Sequence, residues 1–152
     1  MKKALIVLVS CMFLLCGCSF ERYEMGSDIN VSYYTVGYNK WTKESTGPNT
    51  WQYYYSIKNK DITNDVMDNG AVLAYFVDEA YGADTPLPYS FTVTVDQPHS
   101  SMVLTQSIRY EIKSGYITFI VEWSDGGEYD ILENYEFKVC VISPSDKRKV
   151  RD

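Results

Sequence analysis

Regular alternation of apolar and polar residues along three consecutive segments is the feature that most constrains this chain. Residues 89–95, 102–112 and 115–123 place side chains such as Phe91, Ile108 and Phe119 on one side of an extended backbone. Successive side chains of a β-strand point to opposite faces of a sheet, so a period of two favours strands with one buried face. The pattern predicts antiparallel strands joined by short turns.

Four further segments have β-rich composition, at residues 31–38, 51–57, 71–77 and 137–142. About seven strands in so short a chain, separated by turn residues, are typical of an antiparallel β-sandwich. The sequence therefore predicts a mainly β fold, an antiparallel β-sandwich of about seven strands with one short helix near residues 61–69.

The helix prediction depends on the residues at its two ends. Asp61 can cap the first N–H groups, and Gly70 can adopt the left-handed conformation after the last turn. Ile62, Val66 and Met67 would then share an inward face. The alternative is a hairpin turn at Asn69-Gly70. We favour the helix because Asn64 and Asp65 are poor strand residues.

The N-terminus has the organisation of an export signal. Lys2 and Lys3 precede an apolar run at residues 4–15, too short to span a bilayer, which needs about 20 residues. The following Leu15-Cys16-Gly17-Cys18 resembles a bacterial lipobox. That resemblance implies cleavage before Cys18 and acylation of its thiol, and Ser19 resembles the sorting signal for the outer membrane. The alternative is an ordinary secretory signal with an incidental Cys18.

Processing at this point changes the charge of the chain. Removing Lys2 and Lys3 leaves 12 basic residues against 20 acidic residues, a net charge of −8. Phosphate contacts need clustered Lys and Arg, so we expect no nucleic-acid partner. The same charge disfavours electrostatic adhesion to anionic lipid. The expected membrane contact is the lipid on Cys18.

The expected organisation has four parts. Residues 1–17 form a lipoprotein signal peptide, residues 18–30 the lipidated cysteine and a tether, residues 31–143 the β-sandwich, and residues 144–152 a basic flexible tail. Of the four cysteines, only Cys140 would remain as a free thiol, so no internal disulfide is expected. Its apolar strand context favours a role as a small hydrophobic residue.

Residues that could carry chemistry are few. His99, the one histidine, lies in a turn between two strands, where a solvated side chain is the simplest interpretation. The acidic, glycine-rich residues 125–130 lack the spacing of a calcium loop. Glu128 and Asp130 could act as paired carboxylates only with a sugar-binding groove beside them. We therefore predict no catalytic, cofactor-binding or metal-binding residues, and a protein that is not an enzyme.

Tyrosine is the most distinctive component of the composition, with 14 residues. In residues 51–57, Tyr53 and Tyr55 share the parity of Trp51 and Ile57, so Tyr54 should point away from the core. An exposed tyrosine can bind a glycan or a protein partner. The sequence thus marks Tyr54 as a ligand-facing residue, with packing on the second sheet face as the alternative.

Three short motifs support a family resemblance. Asp61-Ile62-Thr63, then Asn69-Gly70-Ala71-Val72-Leu73-Ala74-Tyr75, then Leu87-Pro88-Tyr89 resemble a pattern of small, uncharacterised β-sandwich lipoproteins of Bacteroidota. The resemblance implies an envelope lipoprotein but no activity. Two functional hypotheses follow: a sandwich that binds a glycan or protein through aromatic strands, and a structural or assembly lipoprotein whose edge strand pairs with a partner.

Overall fold

A computed structural model describes residues 28–78, 82–97 and 100–144 of the chain. Nine strands in two antiparallel sheets form a β-sandwich, as the sequence predicts, and the described part also contains one α-helix and one 3-10 turn. The elements are β1 Ile29–Val36, the 3-10 turn Tyr38–Lys40, β2 Thr42–Gly47, β3 Thr50–Lys58, α1 Asn64–Asn69, β4 Ala71–Asp78, β5 Ala83–Pro86, β6 Tyr89–Gln97, β7 Ser100–Lys113, β8 Tyr116–Trp123 and β9 Tyr135–Ile142.

One sheet has the strand order β1-β9-β4-β5 and the other β2-β3-β8-β7-β6. The three strands with the clearest alternation, β6, β7 and β8, are neighbours in the five-stranded sheet. Within the described residues, no helix is long and apolar enough to cross a membrane. β1 begins at Ile29, inside the segment expected to act as a tether, and pairs with β9 along its whole length.

The core lies between the two sheets and follows the strand alternation. β9 buries every second side chain, from Tyr135 to Val141, and β8 does the same on the opposite sheet. The rings of Phe119 and Phe137 stack across the interface with centroids 3.8 Å apart. Both side chains are fully buried, so this pair joins the two sheets at the centre of the domain.

The two strands that the sequence did not reveal are β2 and β5. β2 is almost entirely exposed, so it carries no apolar alternation. β5 has four residues and ends at Pro86. Both are edge strands, where neither face has to be apolar throughout. Periodicity detects strands by their buried face, and these strands provide too little of one.

Helix α1 is present, so the hairpin alternative at Asn69-Gly70 is wrong. The predicted cap is also wrong: Thr63 is the N-cap, and its hydroxyl accepts the Val66 N–H at 3.2 Å. Ile62 and Val66 are buried as expected, whereas Met67 is 41 % exposed. Consecutive residues of an α-helix are rotated by about 100° around its axis, so Met67 points away from the face that Val66 occupies.

Gly70 differs from the expectation in a way that explains why glycine is required there. Its φ of −109° is not left-handed. A Cβ at this position would lie 2.3 Å from the Ile142 carbonyl oxygen and 3.0 Å from the Val66 carbonyl oxygen. Both are backbone atoms that cannot move independently. The glycine is therefore needed because α1 and the end of β9 pack closely.

Candidate functional site

The inner face of β6 is not fully covered by the opposite sheet. Phe91, Val93 and Val95 pack against the core cluster but remain half-buried. The loop of residues 124–134, which we call the β8–β9 loop, provides the wall that faces them. The cavity between this loop and β6 has a volume of about 750 Å³.

A second cavity of about 590 Å³ adjoins the first, since Phe91, Glu133 and Tyr135 line both. We call the two together the aromatic cleft. Small-molecule sites commonly occupy about 300–1,000 Å³ and combine apolar walls with a few polar groups. Each of the two cavities therefore has the size of a small-molecule binding site.

Aromatic rings form the walls of the cleft. Phe76 stacks on Tyr89 and Phe91 with centroids 6.0 and 6.2 Å apart, and it meets Tyr135 edge to face at 5.5 Å. At the other end, Tyr129 packs edge to face on Trp123 at 5.2 Å. These contacts hold the rings in fixed orientations before any ligand arrives.

A buried polar pair lies among these rings. The Tyr135 hydroxyl donates to Gln106 Oε1 at 2.8 Å, and Gln106 is only 2 % exposed. Burial is the main cause that raises the pKa of Tyr135 to about 12. The bond occupies the oxygen of the amide, so the Gln106 Nε2 group is the end left to meet another partner.

Three buried side-chain nitrogens in the described part of the chain lack a protein acceptor, namely Trp41 Nε1, Gln106 Nε2 and Trp123 Nε1. Gln106 and Trp123 line the aromatic cleft. Trp41 lines a third cavity of about 450 Å³ on the other side of residues 130–132. A buried donor without an acceptor costs about 1–3 kcal/mol, so a concentration of them points to an external acceptor.

Carboxylates also line the cleft. Glu128, Asp130 and Glu133 line the larger cavity. Glu128 also forms an ion pair with Lys43 of β2. Burial, followed by the charges of Glu128 and Asp130, raises the pKa of Tyr53. The cleft is thus lined by two residues with buried, unpaired N–H groups, Gln106 and Trp123, and by carboxylates that can accept hydrogen bonds.

The β8–β9 loop itself is held by internal hydrogen bonds. Asp125 accepts from the Tyr129 hydroxyl at 2.6 Å and from the Gly127 N–H at 2.9 Å. These two bonds, the first being the stronger cause, lower the pKa of Asp125. In the described residues no group of three or more His, Cys, Asp or Glu side chains is arranged to hold a metal ion.

Tyr54 does not line any of these cavities. It lies on the outer face of β3, between Thr42 and Ile120 in the register, while Tyr53 and Tyr55 belong to the core side. Ile120 is on the same outer face yet only 4 % exposed. Its cross-strand neighbours are Tyr54 and Arg109, so we infer that these two side chains cover it.

The outer face of the five-stranded sheet also carries Tyr116, which is 47 % exposed, whereas Tyr54 is half-buried. Tyr116 is four residues along β8 from Ile120, the partner of Tyr54, which corresponds to about 13 Å. The cleft brings together more rings and more uncommitted polar groups than this face.

Cys18 and His99 lie outside the described residues. Cys140 is a free thiol, half-buried on the outer face of β9.

The sequence contained one signal for the cleft that the prediction did not use. Gln106 occupies an inner-face position between Leu104 and Ile108, where every neighbour of the same parity is apolar. A lone amide in such a pattern indicates a buried polar contact. Trp123 and Phe91 appeared only as core residues because periodicity does not show where an opposite sheet ends.

No protein-family model, curated protein or solved structure matches this chain.

Proposed function

We propose that this chain is a lipid-anchored protein of the bacterial cell envelope, held by Cys18, whose β-sandwich binds a glycan in the aromatic cleft without catalysing a reaction. The export signal and the lipobox-like residues 15–18 support the anchor. Ser19 supports an outer-membrane destination. Two or more acyl chains hold a protein firmly at a bilayer, whereas one holds it weakly.

The observation that carries the glycan proposal is the pair of uncommitted N–H groups, on Gln106 and Trp123, among aromatic walls. A sugar ring has apolar C–H faces that pack on aromatic side chains, and hydroxyl groups that both accept and donate. Its oxygens can accept from the Gln106 amide and the Trp123 indole. Its hydroxyls can donate to Glu133. A sugar can therefore pair with both the N–H donors and the carboxylate acceptors of the cleft.

The direction of β1 supports this assignment. Ile29, at the end where the tether enters, pairs with Ile142, and Val36 pairs with Tyr135 of the cleft. The two pairs are seven steps apart along β1, a distance of about 23 Å. The cleft is thus at the end of the sandwich opposite the anchor, where a glycan outside the bilayer can reach it.

The test begins with a glycan array on the natively processed protein in detergent, followed by calorimetric titration of the best ligand. Trp123→Phe keeps a ring in place but removes the indole N–H. We expect its affinity to fall about 5- to 10-fold, the equivalent of one hydrogen bond. Trp51→Phe is the matched control, because Trp51 is a half-buried tryptophan of the same sheet outside the cleft.

Two results would contradict the proposal. One is an array on which no glycan binds above background. The other is an equal loss of affinity in Trp51→Phe and Trp123→Phe, which would place the ligand elsewhere or indicate a general loss of structure. A thermal melt of each variant identifies the second cause.

A further inference from the structure

The outer face of the four-stranded sheet is apolar over half its length. Side chains that point away from the core include Ile29, Val31 and Tyr33 of β1, which are 58, 48 and 61 % exposed. Leu73 of β4, next to Cys140 of β9, is 42 % exposed. We call Ile29, Val31, Tyr33, Leu73, Cys140 and Ile142 the apolar face. Its positions span roughly 13 Å along β1 and 10 Å across three strands.

The other sheet shows that such a face is not a general feature of this domain. On the outer face of β3 and β8, polar pairs interrupt the apolar side chains: Gln52–Glu122 and Ser56–Thr118 flank Tyr54–Ile120, and Lys58 pairs with Tyr116. Soluble surfaces seldom expose contiguous apolar groups, and those that do usually mark an interaction site.

The apolar face is on the half of the sheet where the chain enters. Ile29 and Ile142 pair at the end of the sheet where β1 begins and β9 ends. Lys138 and Asp84, which form an ion pair at 2.8 Å, belong to the other half of the sheet. Tyr33 pairs with Lys138 at the boundary between the two halves. From the chain-entry end of the sheet, apolar side chains are followed by a tyrosine and a lysine. Proteins at a membrane show the same order from the hydrocarbon to the headgroup region.

Both chain ends leave the fold beside this face. The Ser143 N–H donates to the Asp28 carbonyl oxygen at 3.0 Å, so the start of β1 and the end of β9 are adjacent. Asp28 is ten steps along the chain from Cys18, which limits the distance between them to about 35 Å. The C-terminal residues after Pro144 include four basic side chains, at positions 147, 148, 149 and 151.

We propose that the apolar face lies against the lipid bilayer and forms a second membrane contact beside the acylated Cys18. This inference rests on the proposed lipid anchor, because the tether keeps the domain at the bilayer surface at a high effective concentration. The contact needs no net positive charge, since it is apolar. The basic tail leaves from the same end and favours anionic headgroups. The aromatic cleft, at the opposite end, remains accessible.

The test uses the natively processed, lipidated protein in nanodiscs of phosphatidylethanolamine and phosphatidylglycerol. Nitroxide labels are attached to Val31→Cys, Leu73→Cys and, as a control, Thr92→Cys, each with Cys140→Ser. Thr92 is an exposed strand residue on the outer face of the other sheet. We measure collisions with oxygen, which concentrates in lipid, and with a nickel chelate, which stays in water.

We expect the ratio of oxygen to nickel collisions to be several-fold higher at positions 31 and 73 than at position 92. Equal ratios at all three positions would overturn the inference, since the face would then be in water. Low collision rates with both reagents at 31 and 73, with spin–spin broadening between labels, would also overturn it. That result would assign the face to packing against the same face of a second copy of the chain.

A second variant separates contact from unfolding. Val31→Glu should lower the collision ratio at a Leu73 label while the protein stays in the nanodisc, and Thr92→Glu should leave the ratio unchanged. Mass spectrometry of the same sample reports the acyl chains on Cys18. Their absence would count against the anchor, whereas a lipidated protein with equal ratios would count against the second contact alone.

Discussion

Replacement of Phe137 by alanine should be among the most destabilising substitutions in this domain. Phe137 is fully buried at the centre of the sandwich. It stacks on Phe119 at 3.8 Å and contacts Trp41 and Phe76 at 6.4 and 6.1 Å. A buried Phe→Ala change costs about 3–5 kcal/mol, and each lost aromatic pair adds about 0.5–1.5 kcal/mol. We expect a loss of at least about 4 kcal/mol in the free energy of unfolding.

The measurement is a urea melt of the natively processed protein, with the change in midpoint read at constant slope. Since Phe137→Ala could unfold a domain of ordinary stability, Phe137→Leu is measured beside it, with an expected loss of about 1–1.5 kcal/mol. Glu136→Ala is the matched control. Glu136 is the preceding residue on the opposite face of β9, and its change should stay within about 0.5 kcal/mol. Equal losses at positions 136 and 137 would refute the register of β9 and the sandwich built on it.

Three other changes probe separate parts of the account. Tyr54→Ala should cost about 1–2 kcal/mol, because it uncovers Ile120, and leave glycan affinity unchanged; lost binding would restore Tyr54 as a ligand residue. The pKa of Tyr135 is about 12 in the folded protein and about 10 in the unfolded chain. The protonated hydroxyl therefore contributes about 2–3 kcal/mol to the free energy of unfolding below pH 10, and this contribution is lost as the pH rises to about 12. Urea melts should show that fall in wild type and a shallower one in Tyr135→Phe. Cys18→Ala should prevent acylation and release the protein from the membrane fraction; a variant that stays with the membrane, together with a wild-type peptide that carries no diacylglycerol on Cys18, would contradict the lipobox assignment.

The fold class could be predicted because burial is periodic in the central strands. β7 and β8 bury every second residue, such as Ile108 and Phe119, and that spacing is visible without structure. The parity of Tyr53 and Tyr54 could be predicted for the same reason. Trp51 shares that parity but lies outside the core cluster, with the Lys43 ammonium over its ring at 5.0 Å. Parity gives the face of a side chain, and only tertiary structure shows what covers that face.

The candidate site could not be predicted because it forms where two sheets differ in extent. Phe91 and Trp123 have the spacing of core residues, and they line the cleft because the β8–β9 loop, not a strand, faces them. The half-burial of Phe91 also lowers the cost expected for Phe91→Ala below that of Phe137→Ala. Tyr54 attracted the functional prediction because parity alone places it on the outer face, where its side chain is in fact half-buried. The donors among the cleft rings depend on contacts between residues far apart in sequence, such as Gln106 and Tyr135.

The indole N–H resonances of the three tryptophans test the glycan-binding proposal most directly. Each indole gives a separate signal in a ¹H–¹⁵N spectrum, and Trp51 serves as an internal control outside the cleft. On titration with the glycan found on the array, the Trp123 signal should shift in proportion to occupancy and its proton should exchange more slowly with water. The Trp51 signal should not move. A saturating glycan that shifts Trp51 and leaves Trp123 unchanged would contradict the assignment of the aromatic cleft as the binding site.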